Sequence, residues 1–290
     1  IQDVTNKIWN SFEILRPTLS YGDFHVVLFL ISLKRIGFNI NQSFNPESTI
    51  DYIQNFVIKT DSVYNTPYRE IYQEYETIIS RMPNDRLVEF LNQIDSIDDS
   101  YYIKNFLQIF DAILYQIIHS QGRLSGELSI PFELSRFMSK LVSLPKNAKI
   151  YNPFAGVASF GIFTSSDNYY VGQEINHNTG ILGKLRLLAT GNSLNKELLI
   201  GDSIKQWNPT NSKFDLIISA PPFGTKMPIP LYGKHGPIKN FEGYLLDRGV
   251  EDLNQNGKLV VLVPEGFLSS MGTNIDIRFN LVKEDLIESI

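Results

Sequence analysis

At 290 residues, 43% hydrophobic and 20% charged, the chain has an ordinary globular composition and room for about two domains, and it lacks cysteine, which excludes disulfides and thiolate metal sites. Its four histidines are scattered without metal-ligand spacing, no apolar run approaches the ~18 residues of a membrane span, and no signal peptide is visible, so a cytoplasmic protein with no membrane partner is expected. The formal charge of −5 divides unevenly, with 15 acids against 9 bases in residues 1–120 and 16 against 17 in residues 121–290; neither half is basic enough to hold duplex nucleic acid strongly by itself.

The first 120 residues read as helical. Apolar positions recur at helical spacing in Ile8, Phe12 and Leu15, in Phe24, Val27, Leu28 and Ile31, and in Phe106, Ile109, Phe110, Ile113 and Leu114. Tyr64, Tyr68, Tyr72 and Tyr75 share one helical face, and core packing is favoured over base stacking because the surroundings are acidic. A boundary near His119–Gly122 separates a helical domain, 1–120, from a second domain, 121–290.

The second domain begins with Gly126–Leu134, where Ser129 can cap a helix with Pro131 at its first position and Glu133 in its first turn. Ala148–Phe160 reads as a strand, a tight turn at Gly156 and small residues opening a helix. Small side chains there let the backbone approach a bound nucleoside. Tyr169–Glu174 is the next strand, and Glu174 stands about twenty residues after the turn, where an acid holds ribose hydroxyls. Ile175–Gly191 is a helix with Ile181, Leu185 and Leu188 inward; Leu198–Gly201 is a third strand ending at Asp202 and Ser203. Phe214–Ser219 is a buried parallel strand, stopped by Pro221 and Pro222 because neither can donate to a ladder. The following loop carries Lys226, Lys234, His235 and Lys239, open to solvent or to phosphate. A fifth strand, Lys258–Val263, follows an Asn256–Gly257 turn, and Asp285–Ile290 reads as the opening of another, so the chain is expected to be a fragment cut before its sheet is complete. Strands alternating with helices give an α/β, doubly wound, Rossmann-like parallel sheet.

Three phrases resemble motifs of the γ-type adenine-N6 DNA methyltransferases and occur in that family's order. Gly126–Pro131 is similar to motif X, with Ile130 for the usual threonine. Asn152-Pro153-Phe154-Ala155-Gly156 is similar to motif I, with Asn152 for the usual acid and Ala158 for a glycine. Ala220-Pro221-Pro222-Phe223 is similar to motif IV, with Ala220 for the usual Asn or Asp. Glu174 and Asp202 then fall where motifs II and III contact the cofactor. Gly172–Asn176, Ser219–Met227 and Leu262–Leu268 look like the modification subunit of type I restriction systems, and the likeness covers roughly residues 121–290.

The resemblance implies a methyltransferase domain using S-adenosylmethionine. Ile130, Pro131, Asn152, Phe154, Gly156, Glu174, Asp202 and Ser203 would line the cofactor site, and Ala220, Pro221, Pro222 and Phe223 the catalytic turn. It implies double-stranded DNA as substrate, specificity and restriction subunits as partners, and an N-terminal domain that meets partners and DNA. An alanine at 220 offers no side-chain acceptor to the target amine, so impaired catalysis is expected. Three other readings are weighed: a non-catalytic cofactor-binding or assembly subunit, an amino-methyltransferase acting on ribosomal RNA or protein glutamine, and a Rossmann dehydrogenase, which the lack of a Gly-x-Gly-x-x-Gly phrase disfavours.

Overall fold

The structure, a computed structural model, describes residues 1–40, 49–64, 66–120, 130–191, 194–269 and 274–290. The chain divides into one unit of Ile1–Gly126 with Lys184–Gly191 and a second of Glu127–Gly183 with Asn192–Ile290.

The first unit is built of α1 (Gln2–Leu15), α2 (Val26–Arg35), α3 (Thr49–Tyr64), α4 (Tyr68–Ser80), α5 (Asn84–Asp95), α6 (Asp99–Lys104) and α7 (Phe106–Ser120). Helix α2 is buried from Val26 to Lys34 on every side, which is why its sequence is apolar nearly all round. The amphipathic helices present one stripe each: Ile8, Phe12 and Leu15 on α1, and Ile109, Phe110, Ile113 and Leu114 on α7. Tyr68, Tyr72 and Tyr75 are at most 2% exposed, and the rings of Tyr72 and Tyr75 lie 6.2 and 5.5 Å from that of Phe29. They are core, as their spacing and acidic neighbours predict; the side chain of Tyr64 lies outside the described residues. Buried Tyr102 donates its hydroxyl to the Ile31 carbonyl, so one deep phenol is satisfied by a helix backbone. In the same unit Arg186 pairs with Asp111 through two bonds, 2.7 and 3.2 Å long.

The second unit carries a five-stranded sheet of β1 (Lys149–Pro153), β2 (Tyr169–Glu174), β3 (Lys196–Ile200), β4 (Phe214–Ser219) and β7 (Leu253–Val261), in the order β3-β2-β1-β4-β7. Every pairing in it is parallel. Chain order runs outward from β1 to β3, then returns to β4 on the other side of β1. The reversal makes β1/β4 the switch point, beside which open α/β sheets take their ligands at the carboxyl ends of the strands. The helices of this half of the chain are α8 (Phe132–Lys140), α9 (His177–Ala189), α10 (Phe241–Glu251), α11 (Glu265–Ser269) and α12 (Ile275–Lys283). Ile181, Leu185 and Leu188 of α9 are buried, as the periodicity predicts.

Five local expectations are corrected. No α-helix follows β1: residues 156–160 are turns leading into a short 3-10 segment at Gly161–Phe163, because left-handed residues interrupt the helical path. Pro131 is the N-cap of α8, one place before its predicted position, while Ser129 lies outside the described residues. Strand β7 starts at Leu253 rather than after Asn256–Gly257, with a register shift opposite Phe214–Leu216 absorbing the extra residues. The stretch after Gly224 is an antiparallel ribbon, β5 (Lys226–Gly233) and β6 (Gly236–Asn240), packed through Met227 and Ile238 onto Tyr244, Ile277 and Leu281. Residues 286–290 join no ladder.

Candidate active site

Side chains splice β1 to β4 where the backbone ladder stops. The β1/β4 register ends at Tyr151↔Ile217. Beyond it, buried Asn152 donates its amide to the carbonyls of Ile218 at 2.8 Å and Pro153 at 3.1 Å, and its oxygen accepts from the Tyr170 hydroxyl at 2.8 Å. Ser219, also fully buried, donates to the Pro153 carbonyl. Side chains thus carry the hydrogen bonding between the two strand ends beyond the last β1/β4 ladder pair. Asn152 serves here as a strand tie, with its polar atoms engaged by the protein.

The turn after β1 is built from alternating left-handed residues: Phe154, Gly156 and Ala158 have φ of 55°, 55° and 56°. Only the glycine adopts this freely. Phe154 and Ala158 store strain of about 1–2 kcal/mol each. Packing holds them there: Ala158 is fully buried, and the Phe154 ring stacks on Phe241 at 5.4 Å with 20° between planes. Glu174 spans this turn and the next, accepting from Gly156 N–H at 2.9 Å through one oxygen and from Asn176 N–H at 2.7 Å through the other. It is half-exposed, and a carboxylate with one bond to each oxygen keeps lone pairs for a ligand.

Asp202 follows β3 and closes its own turn by accepting from Ile204 N–H at 2.8 Å. Behind it, the Gln173 oxygen accepts from Tyr151 at 2.7 Å and Ser203 at 3.3 Å, while Tyr244 donates to the Ser203 carbonyl at 3.1 Å. Burial raises both phenols, Tyr244 to about 12 and Tyr151 further, so both stay protonated donors at neutral pH. Ser203 is buried in this network, and Asp202 alone of the pair faces outward, its side chain 23% exposed. Gln173 and Tyr244 escaped sequence reasoning; an interior Gln ending a strand was their one available signal.

At the end of β4, Pro221 is buried, Ala220 half-buried, and Phe223 is 51% exposed, a large ring displayed at the sheet's carboxyl edge. The Ser219 hydroxyl, one place upstream, is 0% exposed and donates to Pro153, so it lies too deep to meet a ligand in place of the acceptor Ala220 lacks. Acceptors at this turn are therefore the backbone carbonyls. Ile130 is half-buried and Pro131 exposed just ahead of α8; the preceding Gly126–Ser129 lie outside the described residues. Of the residues singled out beyond the turn, Lys226, Lys234 and Lys239 are exposed on the ribbon, but His235 is 0% exposed. Its backbone N–H donates to Asp247 at 2.7 Å and its Nδ1 lies 3.0 Å from the same oxygen, which removes it from any solvent-facing role.

The arrangement fits a nucleoside-bearing cofactor. Two acids with open lone pairs, Glu174 and Asp202, end neighbouring strands beside a tight turn with small side chains, and a displayed aromatic ring ends a third strand. Among the described residues no cluster of acids and histidines could hold a metal ion, and no helix is long and apolar enough to cross a membrane.

The N-6 DNA methylase family model matches residues 103–290. The methylase subunit of the type I restriction enzyme HindI from Haemophilus influenzae is 24% identical over 202 residues, covering 62% of this chain and 45% of that protein. The chain thus spans less than half the length of that relative. Among solved structures, the type I restriction-modification methyltransferase subunit from Streptococcus thermophilus superposes with a TM-score of 0.71 at 13% identity, over 98% of this chain and 79% of that one. A chain from a study of type I restriction-modification assembly gives 0.63 at 17% identity, over 96% and 68%. At such identities the structural likeness speaks for the fold.

Proposed function

The chain belongs to the N-6 DNA methylase family, and from that premise we propose that it is the S-adenosylmethionine-binding part of a modification subunit that methylates adenine N6 in double-stranded DNA. The observation that carries the reading is the shared carboxyl edge of three strands, which bears Glu174, Asp202 and the Ala220–Phe223 turn on a parallel sheet of switch-point topology. Glu174 would accept from ribose hydroxyls and Asp202 from the cofactor's adenine amine, with Gly156 giving close backbone approach and Ile130–Pro131 bordering the site. S-adenosylmethionine supplies a methyl group already activated by its sulfonium, so the protein's task is alignment rather than proton abstraction.

The target adenine must leave the duplex stack to reach that edge. Phe223 would stack on its face, and the carbonyl of Ala220 or Pro221 would accept from N6, turning the nitrogen lone pair toward the donor. The acceptor side chain that would complete this grip is missing at 220, so this form is a slow enzyme. Phosphate contacts would come in part from Lys226, Lys234 and Lys239. The acidic helical unit is better suited to meeting specificity and restriction subunits than to gripping DNA alone.

The test combines calorimetric titration with S-adenosylmethionine and a tritiated-methyl assay on DNA, ribosomal RNA and release-factor protein, for the parent and Ala220→Asn. Uptake of the donor with label entering DNA supports the reading. No uptake overturns it. Label in RNA or protein instead moves the substrate class, and uptake without transfer by either form supports an assembly role.

A further inference from the structure

Helix α10 carries two carboxylates that solvent does not reach, Glu242 and Asp247, both 0% exposed. Among the described residues, each has one oxygen bonded and the other without a hydrogen-bond partner. Their bonded oxygens hold the two ends of the β5–β6 ribbon. Asp247 takes the hairpin turn through His235. Glu242 takes the base, where its Oε1 accepts from Gly224 N–H at 2.9 Å.

A buried, half-satisfied carboxylate is costly and calls for an explanation beyond packing. The ribbon already has an apolar seat in Met227, Ile238, Tyr244, Ile277 and Leu281, so a hydrophobe at 242 could fill the same volume. What no hydrophobe can do is accept from Gly224. That residue has φ 67°, in the left-handed region, and a methyl group added to it would meet nothing within 4 Å. The turn is therefore held from below by Glu242 and not walled in by neighbours. Phe223, whose ring is displayed, immediately precedes the residue that this bond holds.

We propose that Glu242 is a positioning residue: by holding Gly224 N–H it sets the turn that aims the Phe223 ring at the target base. This deepens the reading of the 220–224 turn as the target site and rests on it. Glu242 itself need touch neither base nor donor.

Three variants, Glu242→Ala, Glu242→Gln and Gly224→Ala, are made in the full-length subunit assembled with its partners, in the Ala220→Asn background. Hydrogen–deuterium exchange is followed over residues 220–227, together with cofactor affinity and the rate of methyl transfer to unmethylated DNA. Glu242→Ala should speed exchange in this segment alone and lower the transfer rate roughly ten- to hundredfold, the scale expected when a reacting partner is slightly misplaced. Cofactor affinity should stay within about twofold of the parent, since no cofactor contact is altered. Glu242→Gln, which can keep its carbonyl toward Gly224, should retain most of both. Gly224→Ala should reproduce the rate loss through the backbone alone, and it carries the test if Glu242→Ala fails to fold. The proposal is overturned if exchange over 220–227 is unchanged in Glu242→Ala, if the transfer rate is unchanged, if cofactor affinity falls in step with rate, or if Gln behaves as Ala. If the parent moves no methyl to DNA, the functional reading fails separately. Exchange then still decides whether Glu242 holds the turn.

Discussion

Two alanines concentrate the consequences at the residue scale. At 220 the missing acceptor costs catalysis: restoring it with Ala220→Asn should raise adenine methylation by about 10²–10³, the usual effect of one positioned hydrogen bond in a dry site. Because Glu174 and Asp202 lie on other strands, the cofactor dissociation constant should not change. An equal rate for both forms would remove position 220 from the mechanism. At 158 the cost is stability. Ala158 sits at φ 56°, so Ala158→Gly should stabilise the fold by roughly 0.5–1 kcal/mol, the strain relieved less glycine's greater unfolded freedom. A urea midpoint that moves down instead would show that the methyl's buried packing outweighs the strain.

At the scale of elements, the join between β1 and β4 is the sensitive point. Asn152 donates to two carbonyls and accepts from Tyr170, so Asn152→Ala removes three buried hydrogen bonds and should lower stability by about 3 kcal/mol. Asn152→Asp should do at least as much harm, since an acid there turns two donor contacts into oxygen facing oxygen. This runs against the resemblance, in which an acid is usual at this position. Denaturation curves of the two variants decide it: an Asp variant as stable as the parent would mean that the amide is not the tie. The ribbon shows the same principle at a second join. Its ends are held by buried acids of α10, a helix whose sequence gives no hint of that duty.

For the whole molecule, the helical unit brings its own pH dependence. His25 is half-buried beside Tyr75, ring centroids 5.2 Å apart, and burial holds its imidazole below the ordinary 6.5 despite nearby Asp23. Below about 6.5 the unfolded chain takes up a proton that the folded chain resists. Its contribution is therefore complete above 6.5 and is lost as pH falls toward the folded value. Denaturant midpoints compared at pH 7.5 and 5.5 should show a smaller acid-side loss in His25→Gln than in the parent. Identical slopes would clear His25. Cofactor should act on the second unit: a ligand at 100 times its dissociation constant adds about 2.7 kcal/mol to a folded state that alone binds it. The melting transition should rise with added S-adenosylmethionine, and less so for Glu174→Gln.

The chain order of strands, the parallel sheet, the tyrosine face and the acids closing β2 and β3 were legible because each rests on local periodicity or on a residue at a strand's end. Ile181, Leu185 and Leu188 needed only their spacing to be placed inside. The left-handed path of Phe154, Gly156 and Ala158, the burial of His235, and the duties of Asn152, Gln173, Glu242 and Asp247 were decided by tertiary structure alone. Apart from that turn, each case rests on a polar group that meets a partner at least twelve residues along the chain, and such partners leave no trace in the pattern of neighbours. Periodicity reports which side of an element faces oil or water; it does not report which distant carbonyl or amide awaits there.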